Sequence, residues 1–350
     1  MDRHTHHKAL LAPLRAAQYN FDESQYRATL EALCAPDVIF RMAHPLGEIH
    51  GTDAFYKQAV APLVKAWPDV ERRDYIVMAG QDDDGSDWVG CGGFFIGVSL
   101  EPWLDIPATG HLIHMRFHEF YRFVDGKIVE MQSLWDIPEV MMQANAWPMP
   151  PALGREWAVP GPASQDGIIT GPHDEQASER TKRTIIDMLE HMKRHPQHGG
   201  PSAMEMERFW HPKMSWYGPS GIGSGRGISG FRHWHQIPFL NAMPDRGAER
   251  AKITYHFFGD GDYAAVTGWP NMIQTISHDG WMGIAPSGTK FRMKSLDFWR
   301  MEGELIRENW VMVDILDAYK ELGVDVFARL AEFNKARNLG PIPLSSGMED

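Results

Sequence analysis

The chain has 350 residues, of which 43% are hydrophobic, so it contains enough apolar material for two domains of ordinary size. Its net charge of −12 argues against nucleic acid as a partner, because nucleic-acid binding depends on clustered lysine and arginine. Its two cysteines exclude a disulfide framework, and the absence of an apolar signal core or membrane-length apolar run predicts a cytoplasmic protein without a membrane partner.

The first half of the chain reads as helices followed by strands. Apolar residues at helical spacing predict a helix over roughly 23–34, and a strand is expected after Pro36. Gly51, Thr52 and Asp53 supply a loop glycine and capping side chains for a further helix, which Pro62 interrupts. Later strands are expected at 75–78, 88–96, 112–123 and 128–134, before a short helix from about 137.

Residues 145–178 are rich in proline and glycine and predict a linker. The same order of elements then returns. Residues 227–245 repeat the glycine, phenylalanine and proline positions of 51–69 at a constant offset of 176, and 281–300 repeat 103–122 at an offset of 178. A repeat of this length is too long for a solenoid unit, so each copy is a whole domain.

Helices that precede a long run of strands favour an α+β fold over a wound parallel sheet. We therefore predict two tandem cone-shaped domains, each a strongly curved antiparallel sheet wrapped on N-terminal helices. The expected boundaries are a first domain at 1–148, a linker at 149–177, a second domain at 178–340 and a tail at 341–350. The two copies are expected to pack sheet to sheet as an internal pseudo-dimer, and a further homo-oligomer stays open.

Neither a metal nor an organic cofactor is expected. The 17 histidines do not form a convergent set, and those at 4, 6 and 7 are taken as part of a frayed terminus. Residues 225–230 match the pattern G-x-G-x-x-G, but the surrounding βαβ unit of a dinucleotide site is missing.

Several motifs of both copies resemble a known family. Copy two contains Pro-Ser-Gly at 286–288, Asp-Phe-Trp-Arg at 297–300 and a strand that ends before Asp314. Copy one contains the corresponding Pro-Ala-Thr-Gly, Glu-Phe-Tyr-Arg and Gly-Lys-Ile-Val-Glu, followed by Asp136. This pattern resembles the SnoaL-type polyketide cyclases, which are members of the nuclear transport factor 2-like superfamily.

The resemblance implies a carboxylate on the last strand as general acid and base. The matching positions are Glu130 and Glu308, where the cyclases have aspartate. It also implies a cavity histidine, or its neighbour, on the preceding strand, and this position falls near Arg116 and Lys294, which are cations in this chain. A cation there would stabilise a developing negative charge on oxygen.

Alternation along a strand places His114, Arg116 and His118 on one face, with Arg292 and Lys294 in the corresponding positions of copy two. Glu119 and Asp297 fall on the opposite faces, and the sequence does not decide which face lines a cavity. The candidate proton-transfer residues are Glu308, Glu130, Asp314, Asp136, His114 and His118. Asp136 and Asp314 have the alternative role of helix caps.

The candidate substrate-binding residues differ between the copies, which predicts two chemically distinct cavities. Copy two, favoured as the apolar substrate pocket, offers Trp216, Trp281, Trp299, Trp310, His233, Arg292 and Lys294. Copy one offers Trp103, Arg116, His44 and His50, and its histidines would respond to pH between about 5 and 8.

The function predicted from these residues is that of a cofactor-free acid–base enzyme of the cyclase, isomerase or lyase type. Its substrate is expected to be a small, partly apolar carbonyl compound. A hydrolase or dehydratase that uses the same carboxylates is an alternative. So is a non-catalytic small-molecule binding protein with tandem cavities, or a protein in which one copy is only a scaffold for the other.

Overall fold

In the computed structural model, which describes residues 1–342, the first half of the chain forms a six-stranded sheet packed on helices. Its elements are α1 (Arg3–Tyr19), α2 (Glu23–Leu33), β1 (Cys34–Met42), β2 (Glu48–His50), α3 (Thr52–Phe55), α4 (Ala61–Ala66), β3 (Glu71–Gln81), β4 (Asp87–Val98), β5 (Leu112–Val124), β6 (Lys127–Trp135) and α5 (Ile137–Gln143). A π-helical turn at Tyr56–Val60 joins α3 to α4, so the helix is irregular just before Pro62.

The second half repeats this order after a connecting segment. Its elements are α6 (Glu175–Met192), β7 (Trp210–Tyr217), β8 (Gly225–Arg226), α7 (Gly227–Phe231), α8 (Ile237–Ala242), β9 (His256–Asp260), β10 (Tyr263–Thr267), β11 (Met272–Ile276), β12 (Thr289–Met293), β13 (Ser295–Glu302), β14 (Leu305–Val313), α9 (Ile315–Glu321) and α10 (Val326–Phe333). A second π-helical turn, Arg232–Gln236, occupies the position equivalent to the first. Of the predicted tail, residues 343–350 lie outside the described residues.

The two sheets have the same topology. Their strand orders are β2-β1-β6-β5-β4-β3 and β8-β7-β14-β13-β10-β9. In each sheet the first long strand runs parallel to the last, and the other neighbours are antiparallel. The predicted α+β class with two tandem domains is therefore confirmed. No helix within residues 1–342 combines the length and the apolar character needed to cross a membrane.

The expectation of a frayed N-terminus is wrong, because residues 3–19 form a helix. Asp2 caps it, with Oδ1 accepting the N–H of Thr5 at 2.8 Å. Leu11 and Leu14 are buried against the first sheet. The histidine-rich first turn and Pro13 hide this apolar stripe in the sequence. Helix α6 likewise begins at Glu175, inside the segment that the composition predicts to be linker.

One face of each sheet packs on its own helices, and the other face packs on the sheet of the other domain. The rings of Phe120 and Phe298 stack with centroids 5.0 Å apart, and Phe120 meets Phe258 edge to face at 5.6 Å. His118 Nδ1 lies 2.6 Å from the carbonyl oxygen of Leu296, across the same interface. Both faces of the central strands are therefore buried.

Gly80 in β3 lies at a close approach between the two sheets. A Cβ atom there would lie 2.5 Å from the carbonyl oxygen of Gly259, which is too near for any real contact. We expect Gly80→Ala to lower the free energy of unfolding by about 1–3 kcal/mol, because the backbones must separate. Urea denaturation measures the change.

The matched control is Gly171→Ala, because nothing lies within 4 Å of a Cβ at that position. This change should leave stability within about 0.5 kcal/mol of the original protein. If the two substitutions changed the free energy of unfolding equally, the sheets would have moved apart at Gly80 without loss of stability.

The second sheet differs from the first in that three of its strands are shortened or divided. Strand β3 has 11 residues, whereas its counterpart β9 has 5. The region of β4 corresponds to β10 and β11, which are separated by 268–271, and β5 corresponds to β12 and β13, which are separated at Lys294. Pro270 has no N–H group to continue a strand ladder. Strands β11 and β12 form a two-stranded sheet that is separate from the six-stranded sheet.

Candidate active site in the second domain

The second domain encloses a cavity between its helices and the face of its sheet that points away from the first domain. Its inner chamber has a volume of about 100 Å³ and is mainly apolar. The chamber is lined by Met188, Met192, Trp210, Trp216, Ile222, Phe231, His235, Gln236, Phe239, Leu240, Met293, Trp299, Asn309, Val311 and Val313, among others. An outer vestibule of about 370 Å³ adjoins it, and Leu189, Arg246, Met272, Ser295 and Asp297 line both spaces.

Asp297 lies on β13 at the junction of the chamber and the vestibule. Its neighbours Leu296 and Phe298 point to the other sheet, so alternation directs Asp297 and Trp299 into the cavity. Oδ1 of Asp297 is shielded from solvent and has no hydrogen-bond partner among the described residues. Burial raises the pKa of Asp297 to about 8, although the charge of Arg246 and the hydroxyl of Ser295 act in the opposite direction.

Other polar atoms of the chamber also lack partners among residues 1–342. They are the indole Nε1 atoms of Trp210 and Trp299, Nδ1 of His235, and both side-chain polar atoms of Gln236. Buried polar groups normally have hydrogen-bond partners, so these atoms are available to form hydrogen bonds with a ligand or with water. Three of the side chains supply N–H donors that are suited to a carbonyl or enolate oxygen.

The π-helical turn before Pro238 supplies two of these side chains. His235 stacks on Trp216, with ring centroids 4.1 Å apart and an angle of 12° between the planes. Burial lowers the pKa of His235 to about 3, so its imidazole is neutral at physiological pH. Gln236 follows as the last residue of the turn. Such turns are frequent at functional sites because they redirect side chains from the regular helical face.

The corresponding space in the first domain is filled. Glu119, the counterpart of Asp297, accepts hydrogen bonds from Arg72 at 2.5 Å, from the Tyr121 hydroxyl at 2.6 Å and from Trp135 Nε1 at 3.2 Å. Arg72 is fully buried and lies over the ring of Phe117, 4.2 Å from its centroid. The remaining void measures about 20 Å³, which is too small for a substrate.

Glu308 and Glu130, the carboxylates indicated by the family resemblance, lie outside the cavity. Glu308 accepts from Arg300 Nε at 2.7 Å and from the hydroxyl of Tyr217 at 3.1 Å. Glu130 is bound by Arg41 at 2.9 Å and by Arg122 at 3.2 Å. Neither residue lines the chamber or the vestibule.

Asp136 and Asp314 connect the two domains through equivalent hydrogen bonds. The N–H of Ser220 donates to Asp136, and the N–H of His44 donates to Asp314, both at 3.0 Å. Burial raises the pKa of each aspartate to about 6. Asp314 also caps α9 through the N–H of Asp317. These contacts repeat with the offsets of the sequence repeat, so the two domains are related by an approximate twofold axis.

The polar strand face of the first domain also belongs to this interface. Arg116 donates to the carbonyl oxygens of Gly218 at 2.7 Å and Val311 at 3.2 Å. His118, as described above, contacts Leu296, and burial holds its pKa well below the usual value. His114 pairs with Glu139 at 3.1 Å. None of these side chains faces the cavity of the second domain.

Lys294 and Arg292 form ion pairs with residues of α9. Lys294 lies 2.6 Å from Asp317, and Arg292 lies 2.8 Å from Glu321. Both pairs are outside the cavity, and Arg292 is exposed.

Of the aromatic and histidine side chains named from the sequence, only Trp216 and Trp299 line the cavity. Trp281 packs against Phe239 from outside, and Trp310 lies between the sheets with Nε1 donating to the carbonyl of Pro160. The other named residues lie elsewhere: Trp103 in the first-domain core, His44 beside Phe327, His50 next to Glu48 on the surface, and His233 in a shallow surface groove.

Two groups of side chains among residues 1–342 have the composition and proximity for a metal ion. They are His4, His173 and Glu175, and Asp82, Asp84 and His256. The first group lies away from the cavity, whereas Asp84 of the second group lines the vestibule. In each group one histidine already has a carboxylate partner: His173 contacts Asp260 at 3.3 Å, and His256 contacts Asp82 at 2.6 Å.

Comparison with known families decides the relationship of the first domain. Residues 14–144 match the family of SnoaL-like polyketide cyclases. The first domain is therefore similar to this family. The match confirms the predicted family resemblance for the first domain, and the second domain has the same sheet topology.

Solved structures similar to this chain correspond in length to a single domain. A candidate SnoaL-like polyketide cyclase from Jannaschia sp. CCS1 is 20% identical and covers 43% of this chain and 99% of its own, with a TM-score of 0.35. AclR, a candidate hydroxylase from Streptomyces galilaeus, is 21% identical and covers 40% and 96%, with a TM-score of 0.34. IdmH, a candidate polyketide cyclase from Streptomyces antibioticus, is 20% identical and covers 40% and 98%, also with a TM-score of 0.34. No curated protein matches the sequence.

Proposed function

We propose that the second domain is a cofactor-independent enzyme that transfers a proton at the carbon next to a carbonyl group. The substrate is a small, largely apolar compound, and the reaction is of the cyclase, isomerase or lyase type. The observation that carries the proposal is the Oδ1 atom of Asp297, which is shielded in a mainly apolar cavity and has no hydrogen-bond partner among residues 1–342. A carboxyl group in such a place has the proton affinity that acid–base catalysis near neutral pH requires.

The proposed step uses groups that line the same chamber. The Asp297 carboxylate takes the proton from the carbon, and the electron pair of the C–H bond moves onto the carbonyl oxygen to form an enolate. The N–H groups of Trp210, Trp299 and Gln236 are the candidate donors to that oxygen. Protonated Asp297 then returns the proton at the same or another carbon. Alternatively, the enolate carbon attacks a second carbonyl group, and the alkoxide that forms takes the proton from Asp297.

The first domain has a different proposed role. Its cone is occupied by the Arg72–Glu119 ion pair, so it stabilises the second domain through the shared sheet interface and has no site of its own. The divergence of the two cavities that the sequence predicts is proposed to reflect this division between support and catalysis.

The test is exchange of α-hydrogens for deuterium in D₂O, followed by mass spectrometry, with a panel of aromatic ketones and β-keto esters. The protein-dependent rate at low substrate concentration should rise with pH and level off above about pH 8, because only ionised Asp297 accepts a proton. The rate without protein is subtracted at each pH. A rate that saturates near pH 4–5 would point to an ordinary exposed carboxylate and contradict the proposal.

The stability of the fold should depend on the same titration of Asp297. Ionisation, which raises the exchange rate, should lower the free energy of unfolding. The folded protein binds the Asp297 proton more tightly than the unfolded chain, so ionisation lowers stability as pH rises from about 4 to about 8. We expect Asp297→Asn to be more stable than the original protein at about pH 9, by about 1–3 kcal/mol. Near pH 5 the advantage should disappear. Urea denaturation at both pH values measures it, and an equal difference at the two values would refute the assigned titration.

A further inference from the structure

Arg246 is a charged side chain of the vestibule that takes no part in the proposed proton transfer. It lies in the turn between α8 and β9, and its side chain lines both the chamber and the vestibule. Its Nε atom is shielded from solvent and has no hydrogen-bond partner within residues 1–342. No carboxylate oxygen of residues 1–342 lies within 4.0 Å of the Arg246 guanidinium nitrogens, which is the limit for an ion pair. Arg246 is nevertheless near enough to affect the pKa of Asp297.

The other charged groups around the vestibule are largely satisfied within the protein. Glu190 is paired with Lys193, Glu249 with Lys252 and Lys290, and Asp83 with Lys182. Arg250 donates to the carbonyl of Ile253 at 3.0 Å and lies over the ring of Tyr255. Arg246 therefore differs from Arg250, the other arginine of the vestibule, in having no oxygen partner.

We propose that the natural ligand is a carboxylic acid, whose carboxylate binds Arg246 while its apolar body enters the chamber past Asp297. This inference rests on the proposed function, because the same ligand must present its reacting carbon to Asp297. A planar guanidinium group at the edge of an apolar cavity is suited to a carboxylate, which it can bind through two parallel hydrogen bonds.

The surroundings favour a single negative charge over a phosphate. Among residues 1–342, Arg246 is the one cation of the vestibule that has no oxygen partner. Glu190, Glu249 and Asp84 also line the vestibule. A phosphate dianion would meet these carboxylates with less compensating charge. Asp297 does not compete for Arg246 near neutral pH, because its carboxyl group is then mostly protonated.

The test compares phenylpyruvate, an aromatic keto acid, with its methyl ester, which has the same apolar body without the charge. Binding is measured by isothermal titration calorimetry on the full chain. We expect the acid to bind about 10–100-fold more tightly than the ester, which is the range for a hydrogen bond to a charged group. Arg246→Met should remove this preference, and Arg246→Lys should restore part of it.

Arg250→Met is the matched control, since it removes a cation from the same vestibule but one that already has protein partners. It should keep the preference for the acid. Melting temperatures verify that all variants are folded. Equal affinity of acid and ester, retention of the preference in Arg246→Met, or no binding of the acid at about 1 mM would overturn the inference. Tighter binding of phenyl phosphate than of phenylpyruvate would overturn it as well.

The outcome can be separated from that of the proposed function. Asp297→Asn should keep the preference for the acid in calorimetry while it loses hydrogen exchange with the same compound. Loss of the acid preference in Arg246→Met without any exchange in the original protein would uphold the inference and contradict the proposed proton transfer. Hydrogen exchange at equal rates in the acid and the ester would uphold the proposed proton transfer and contradict the binding of a carboxylate by Arg246.

Discussion

Asp297→Asn is expected to lower the rate of protein-dependent α-hydrogen exchange by about 10²–10⁴-fold, which is the usual contribution of a positioned general base. Asparagine keeps the shape of the side chain, but it cannot accept the proton from carbon. Because Oδ1 has no hydrogen-bond partner among the described residues, the substitution does not break a protein contact at that atom. The exchange assay at about pH 8 measures the effect.

The matched control is Asp187→Asn, which makes the same chemical change at an exposed position of α6 in the same domain. Its exchange rate should equal that of the original protein. An unchanged rate in Asp297→Asn would remove this residue from the mechanism. If the original protein binds the probes but does not exchange their hydrogens, the second domain is a binding module, which is the alternative that the sequence left open.

Arg72→Met is expected to have the largest effect on stability. The Arg72 side chain is fully buried, and it lies 2.5 Å from Glu119 and 3.0 Å from Asp74. Methionine fills much of the same volume but leaves these carboxylates without their central cation. Breaking a buried ion pair in this way typically lowers the free energy of unfolding by about 3–5 kcal/mol. Urea denaturation of the full chain measures the loss.

The adjacent residue offers a control within the same strand. Arg73 is more than half exposed and pairs with Glu71 on the surface, so Arg73→Met should change stability by less than about 1 kcal/mol. The folded Arg72→Met protein should keep its exchange rate, because the working site is in the second domain. Equal stability of the two variants would contradict the assigned role of the buried pair. Lost exchange in a folded Arg72→Met protein would assign catalysis to the first domain.

The sequence predicts the two-domain architecture because each copy carries the same local signals. Gly51 and the helix break before Pro62 specify local structure, and their repetition at Gly227 and Pro238 with a constant offset of 176 identifies a second copy. Helix α1 is missed because a helix-interior proline and a polar first turn oppose the usual signals. Packing of Leu11 and Leu14 on the sheet overrides those local preferences.

The site is harder to predict because both faces of the central strands are buried. Alternation separates Asp297 from Leu296 and Phe298, but apolar residues occur on both faces, so hydrophobicity does not distinguish the cavity from the domain interface. In the sequence, the strand face that carries Arg116 and His118 therefore indicates a site as strongly as the face that carries Asp297. In the structure, however, Arg116 and His118 lie between the two sheets. Asp297 could have been chosen only by resolving this parity.

Arg246, His235 and Gln236 depend on features that have no local sequence signal. Arg246 lies in a turn that replaces the first part of a strand, and its relation to Asp297 comes only from tertiary structure. The π-helical turn sets the direction of His235 and Gln236, and a regular helical period does not predict it. The equivalent breaks before Pro62 and Pro238 are the one signal that could have indicated this irregularity.

The proposed role of Asp297 in proton transfer depends on the pKa of its carboxyl group, which can be measured in solution. Carbon-13 NMR of protein labelled at the aspartate carboxyl groups, compared with the Asp297→Asn variant, assigns the resonance of this side chain. We expect this resonance to titrate with a pKa of about 8, because burial in an apolar cavity disfavours the charged carboxylate. A midpoint near 4, the ordinary value for aspartate, would show that the group is solvated and would contradict its role in proton transfer.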